Sequence, residues 1–228
     1  MNKYKYLLFD LDRTLWDFDT NARNNIFSLL DKFTVTPDKQ SFFDNYEKIN
    51  HSLWTEYEKG YITKEILKGE RFYRTLKLYG IDDRNMAQQI GDEYLGQMPL
   101  QKALMPNVME VLTELKRRGC KMAIVTNGFK EVQYKKLEVS GIADFFDAVM
   151  VSEEQGINKP CPIILKRALS AIGGDKRSAI MVGDDFTNDI EGAMIFGIDQ
   201  FFYNYRSIPC DGGPTYNSND LRELLRIC

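Results

Sequence analysis

Aromatic and aliphatic residues run without interruption from Tyr6 to Phe9 and stop at a carboxylate, Asp10. So short an apolar run, followed at once by a polar loop, predicts a buried strand that ends there. From about residue 19 to residue 96 the apolar spacing changes to three and four. Ala22, Ile26, Leu29, Leu30 and Phe33 share one helical face, with Thr20 placed to cap it. After Pro37 a second helix carries Phe42, Phe43, Tyr46, Ile49, Leu53, Trp54 and Tyr57, and Gly60 ends it. Thr63 opens a third over 64–79, which Gly80 closes, and a fourth covers 83–95. This span predicts no strand. From Met105 onward helices and strands alternate: a helix from Pro106 to Arg118, a strand at 121–126, a helix at 129–139 and a strand at 148–151. A helix at 162–172, a strand at 178–183, a helix at 189–196, a strand at 200–203 and a closing helix at 221–227 complete the pattern. Residues 210–214 read as a turn.

Alternating strands and helices predict an α/β fold with a doubly wound parallel sheet. The first strand has no partner except that sheet, so the helical span is an insertion behind it. The expected organisation is a Rossmann-like core over residues 1–15 and 103–228, interrupted by an all-helical domain over 16–102.

A net charge of −3 with no isolated block of Lys or Arg argues against a nucleic-acid polymer or an anionic membrane as partner. No apolar stretch approaches the roughly 18 residues of a membrane span, and the start, Met1 to Lys5, runs straight into the first strand without a signal peptide. The four cysteines, Cys120, Cys161, Cys210 and Cys228, form no C-x-x-C pair, which fits a reduced cytoplasm and excludes a Cys-ligated zinc site. A single histidine, His51, removes His-based triads and multi-His metal sites. Proton transfer therefore falls to carboxylates, lysine or water.

The chemistry gathers at predicted strand ends, where open α/β sheets bind ligands. The first strand gives Asp10 and, two residues on, Asp12; the second gives Thr126 and Asn127; Lys159 and Pro160 follow the third; the fourth runs into Gly183, Asp184, Asp185 and then Asp189. Two acids side by side repel unless a cation neutralises them. Asp-x-Asp-x-Thr, Thr-Asn-Gly, Lys-Pro and Gly-Asp-Asp with Asp189, in that order, resemble the four motifs of the haloacid-dehalogenase-like hydrolase superfamily. The helical insertion resembles its cap domain. Within the superfamily, Thr126-Asn127-Gly128-Phe129, Val151-Ser152-Glu153-Glu154, Leu53-Trp54 and Gly69-Glu70-Arg71-Phe72 are similar to bacterial pyrimidine 5′-nucleotidases. Arg13 departs from the glycine, small or acidic residue common at its position.

The resemblance implies a cytoplasmic Mg²⁺-dependent phosphomonoesterase acting on a small-molecule phosphate monoester, most simply a nucleoside 5′-monophosphate, as monomer or homodimer. Asp10 would be the nucleophile that forms an aspartyl-phosphate, and Asp12 the acid and base. Thr126, Asn127 and Lys159 would bind the phosphoryl group. Asp10, the backbone carbonyl of Asp12, and Asp184 would ligate Mg²⁺, with Asp189 in or just behind that shell. Other phosphate esters such as sugar phosphates or phosphoglycolate, a β-phosphoglucomutase-like reaction, 2-haloacid dehalogenation and a binding module without turnover are the alternatives. Helix-capping is the expectation for Asp185, a salt bridge to a nearby acid for Arg71, and a packing or polar-face role for His51. Most aromatics of the insertion are expected in its own core, whereas Trp16 and Phe18, just behind the acid loop, are the candidates for touching a base.

Overall fold

In the computed structural model, which describes residues 3–210 and 212–228, six strands form one wholly parallel sheet: β1 (Tyr6–Phe9), β2 (Lys121–Thr126), β3 (Ala148–Val151), β4 (Ala179–Gly183), β5 (Asp199–Tyr203) and β6 (Tyr216–Ser218). Their spatial order is β3-β2-β1-β4-β5-β6. The expected start at Met1 and Asn2 and the expected turn at 210–214, which includes Asp211, fall partly outside the described residues.

β1 lies at the centre, with Phe9 level with Ile124 of β2 on one side and Val182 of β4 on the other. The chain builds outward through β2 and β3, then returns across β1 to build β4, β5 and β6. The order thus reverses beside β1, and the crevice outside the carboxyl ends there is where such sheets bind ligands. Leu7, Leu8 and Phe9 are all fully buried although successive side chains face opposite sides, so the strand is covered on both faces. One face packs Leu8, Ala123, Val125 and Met181 against Ile164, Leu165, Ala168 and Leu169, together with Ala193 and Phe196.

The chain divides into two compact units, one formed by residues through Phe18 together with Lys102–Cys228, the other by Asp19–Gln101. Trp16 lies with the first because its backbone pairs with Asp12 and Leu104. Four helices make the second: α1 (Phe18–Lys32), α2 (Lys39–Glu58), α3 (Lys64–Leu78) and α4 (Arg84–Gln97). α1 begins two residues before Thr20, so Thr20 does not cap it. The side chains of Asp38, Thr63 and Asp83 accept the first free N–H groups of α2, α3 and α4. Tyr46, Phe72 and Tyr94 form the aromatic centre of this unit, with ring centroids 5.0–5.9 Å apart. Arg71 is buried there, donates to Asn50 Oδ1 at 3.3 Å and lies 4.7 Å over the Tyr94 ring; the pair with acids belongs instead to Glu70, which binds Arg74 and Arg84. His51 is exposed.

The other helices are α5 (Val108–Arg117), α6 (Lys130–Val139), α7 (Ser152–Gln155), α8 (Pro162–Ala171) and α9 (Gly192–Phe196). Four elements differ from expectation. The segment expected as one helix at 189–196 is a π turn over Phe186–Glu191 followed by α9, with Ile190 N–H bonded to the Asp185 carbonyl five residues back. The closing helix is 3₁₀, over Leu221–Arg226. β6 and α7 were unexpected. Among the described residues no helix is long and apolar enough to cross a membrane.

α3 and α4 approach so closely that a Cβ on Gly91 would lie 2.7 Å from the Lys68 carbonyl oxygen, a backbone atom that cannot turn aside. Gly96, in the same helix, has open space around it. Helix propensity alone favours Ala over Gly by about 1 kcal/mol at either position, whereas forced overpacking costs about 1–3 kcal/mol. Gly91→Ala is therefore expected to lower the thermal midpoint and Gly96→Ala to raise it, as read by circular dichroism; a rise in both would refute the close approach.

Candidate active site

The loop after β1 turns back on itself at once. Asp10 N–H is still bonded to the Val182 carbonyl of β4, while Trp16 N–H returns to the Leu11 carbonyl and Arg13 N–H to the Trp16 carbonyl. Arg13 takes a positive φ of 66° to make this turn, and its guanidinium stacks 4.4 Å over the Phe18 ring. The backbone consequently presents Asp10 and Asp12 from the middle of the sheet.

Asp10 meets Lys159, whose Nζ donates at 2.6 Å to Asp10 Oδ1 and at 2.6 Å to Asp189 Oδ1. All three side chains are buried. Carboxylate oxygens of Asp10, Asp184 and Asp189 all lie within 4.8 Å of one another. Burial pushes Asp184 up to about 8, the negative charge of Asp10 adds to this, and Arg13 opposes it. Burial likewise raises Asp10, against the pull of Lys159, with Asp12 adding repulsion, and raises Asp189 well above the usual carboxylate range. Burial alone would lower Lys159, but Asp10 and then Asp189 outweigh it and hold the ammonium charged. One ammonium cannot neutralise three crowded carboxylates. The raised carboxyl groups therefore resist ionising together, and a cation such as Mg²⁺, which takes hard oxygen donors, would allow it.

The π turn explains how Asp189 reaches this group. Asp185 caps the turn, accepting from Asn188 N–H at 2.9 Å, and its own N–H binds Asp189 Oδ2 at 3.1 Å. A Cβ at position 183 would collide with the Asp189 carboxylate, so only glycine ends β4 there. Thr14, fully buried, donates to Asp184 Oδ1 at 3.3 Å.

At the end of β2, Thr126 Oγ1 accepts from Gly128 N–H at 3.2 Å and from Gln133 Nε2 at 2.6 Å. With both acceptor sites used, the hydroxyl has only its proton left to offer. Asn127 ties two loops together: its Oδ1 accepts from Ser152 Oγ at 2.6 Å and from Lys159 N–H at 2.9 Å, and its Nδ2 donates to the Lys159 carbonyl at 3.2 Å. The Asn127 side chain therefore fixes the backbone that carries Lys159.

Asp12 occupies a separate environment. Its Oδ1 accepts from Lys136 Nζ at 2.6 Å and its Oδ2 from Gln133 Nε2 at 2.8 Å, so its carboxylate is not part of the Asp10–Asp184–Asp189 group. Lys136 is 2 % exposed and lies 4.2 Å over the Trp16 ring. Burial lowers the Lys136 ammonium and Asp12 pulls it back up. Gln133 and Lys136 were missed in the sequence. They share a buried stripe of α6 with Val132 and Leu137, and two polar residues at that three-and-four spacing were the available signal. Trp16 is corrected as a base contact: it is fully buried beneath Lys136. Phe18 remains half-buried.

The fold and this constellation agree with what the chain is similar to. A model of haloacid dehalogenase-like hydrolases matches residues 4–197. The pyrimidine 5′-nucleotidase PynA of Streptococcus pneumoniae is 32% identical, covering 97% of this chain and 94% of the relative. The pyrimidine 5′-nucleotidase YjjG of Escherichia coli is 30% identical, covering 99% and 98%. The HAD-hydrolase YfnB of Bacillus subtilis, solved bound to magnesium, superposes with a TM-score of 0.89 at 28% identity, covering 99% of this chain and 98% of that one. A central acid-bearing strand, a lysine that reaches it from a distant loop, and a match along most of the sequence make the chain a member of the haloacid dehalogenase-like hydrolases.

Proposed function

We propose that this enzyme is a Mg²⁺-dependent phosphomonoesterase that forms an aspartyl-phosphate on Asp10, and that its substrates are pyrimidine nucleoside 5′-monophosphates. The observation that carries the reading is the Lys159 ammonium held between Asp10 and Asp189 inside a buried acid group at the sheet's reversal point. The named activity of PynA and YjjG supports the substrate class.

Lys159 holds Oδ1 of Asp10, which leaves Oδ2 as the attacking atom. A bond forms from Oδ2 to phosphorus as the ester P–O bond breaks. Asp12 enters this step protonated; the released electron pair stays on the leaving oxygen, which takes that proton and leaves Asp12 as the carboxylate that pairs with Lys136. In the second step Asp12 removes a proton from water, the water oxygen attacks phosphorus, and Asp10 departs as a carboxylate with inorganic phosphate. Thr126 Oγ1 and the Asn127 N–H donate to phosphoryl oxygens, and Lys159 faces their negative charge. Bound Mg²⁺ supplies positive charge to the phosphoryl group; Asp10, the backbone carbonyl of Asp12, and Asp184 would hold it. Asp189, whose oxygens accept from Lys159 and from Asp185 N–H, would lie in or just behind this shell.

Hydrolysis of UMP, dUMP, dTMP and a set of sugar phosphates, followed by phosphate release with Mg²⁺ and with chelator, tests the reading. Pyrimidine nucleotides are expected to lead, chelation to abolish turnover, and Asp10→Asn to lower kcat by at least about 10³-fold. Unchanged rates in chelator or in D10N would overturn the mechanism; preference for a sugar phosphate would overturn the substrate class alone.

Mg²⁺ binding is also expected to raise thermal stability, by about 2.7 kcal/mol at a hundredfold excess over Kd. Asp184→Asn is expected to lose most of that gain, and Asp189→Asn to keep more of it. An undiminished gain in D184N by scanning calorimetry would remove Asp184 from the ligand set.

A further inference from the structure

Lys136 and Gln133 take no part in the steps above, yet both are buried on one stripe of α6, three residues apart, and both aim at Asp12. Together they occupy one site on each oxygen of the Asp12 carboxyl group. Each oxygen keeps a second lone-pair site, so a travelling proton still has a place to sit while the group itself is held against rotation. Gln133 spends its two amide protons on Asp12 Oδ2 and Thr126 Oγ1, at 2.8 and 2.6 Å. Its Oε1 is buried and has no hydrogen-bond partner among the described residues. An amide that leaves its oxygen unpaired in order to donate twice has been placed for those donations, at a cost. Lys136 is anchored from the other side by the Trp16 ring, and Trp16 pairs through its backbone with Asp12. The acid loop, the carboxyl group it carries, and the phosphate-facing hydroxyl are thereby joined through one turn of one helix.

We propose that Lys136 and Gln133 are positioning residues which fix the Asp12 carboxyl group in register with Thr126 for proton transfer to the leaving oxygen. This rests on the reading of Asp12 as the acid. A lysine serving only to neutralise Asp12 would not need burial, since Asp12 has 24% of its side chain exposed and water could solvate it. Nor would simple neutralisation need the second donor.

The test compares two esters on the full-length enzyme with Mg²⁺: UMP, whose alkoxide leaves poorly without a proton, and p-nitrophenyl phosphate, whose nitrophenolate leaves without one. The ratio kcat/KM covers all steps through phosphorylation of Asp10. Lys136→Met is expected to lower it about 100-fold for UMP, the scale of a misplaced catalytic group, and less than about threefold for the nitrophenyl ester; Gln133→Leu, which also releases the phosphate-facing Thr126, is expected to slow both esters, UMP by at least about tenfold more. Lys136→Arg is expected to restore most of the UMP rate. Equal losses on both esters, or no loss on UMP, would overturn the proposal. In an Asp12→Ala background K136M is expected to add no further loss; a further loss as large as in the wild type shows that Lys136 acts apart from Asp12 and overturns it too. If K136M does not fold, Q133L, which keeps the ion pair, carries the same comparison. The underlying reading has its own readout: D12A alone must separate the two esters, and if it does not, the acid role of Asp12 fails regardless of α6.

Discussion

Negative charge concentrated where the sheet reverses direction governs this molecule. Two buried carboxylates and a third, half-buried one crowd around one ammonium, and they come from the end of β1, the π turn and the end of β4. Such a group is unfavourable in isolation, because burying an ion costs several kcal/mol and crowding like charges adds to that. The rest of the core makes it tolerable. Lys159 is held charged by Asp10 and Asp189, and its backbone is fixed by Asn127 from the end of β2. Asp189 reaches the group only because Gly183 has no side chain and because the helix widens at Phe186–Glu191. Each device is local, but all answer the same electrostatic demand. What remains is a pocket short of positive charge, suited to a hard cation and an anionic ester together.

The second requirement is that Asp10 and Asp12 behave differently although they lie two residues apart. Residues two apart on an extended strand would share a face; the turn that follows β1 instead sends these two side chains into distinct surroundings. Asp10 sits among acids with a single ammonium; Asp12 faces the polar stripe of α6. Similar carboxyl groups given different neighbours can take different tasks, one as nucleophile and the other as proton carrier. The separation is enforced by the turn at Arg13, whose backbone N–H closes on Trp16 and whose positive φ makes the reversal possible.

How much of this could be read from the sequence depended on where each residue lies. Asp10, Thr126 and Asp184 end or follow apolar runs, so strand periodicity and punctuation pointed to them directly. Lys159 could be placed only by the order of the four motifs, since its own segment has no periodic signal. Gln133 and Lys136 were hidden because α6 is polar along most of its length, and among so many charged residues a functional lysine looks like a solvated one. β6 is three residues long and reads Tyr-Asn-Ser, with no apolar pattern to announce a strand; its pairing with β5 supplies what its composition does not. Trp16 was misread because proximity to the acid loop in sequence says nothing about which way an indole points. Its complete burial and the Lys136 ammonium over its ring show that it faces inward.

Membership of the family says that the chain is a hydrolase and leaves the leaving group open, because a fold hosts many substrates. The treatment of Asp12 narrows the choice. A carboxyl group that merely completed the loop would gain little from a buried lysine, whose removal from water costs several kcal/mol before its ion pair offsets any of it. A reaction whose leaving atom departs unprotonated would have no use for that group in its first step. An alkoxide leaving group does need a proton, delivered at a defined place and moment, and water for the second step must then return one to the carboxyl group that gave it. On the proposed reading, the ion pair at 2.6 Å, the amide shared with Thr126 and the indole beneath the ammonium serve that requirement together. Hydrolysis of an alkyl phosphate would then use this arrangement in both steps, whereas displacement of a halide would use it only in the second.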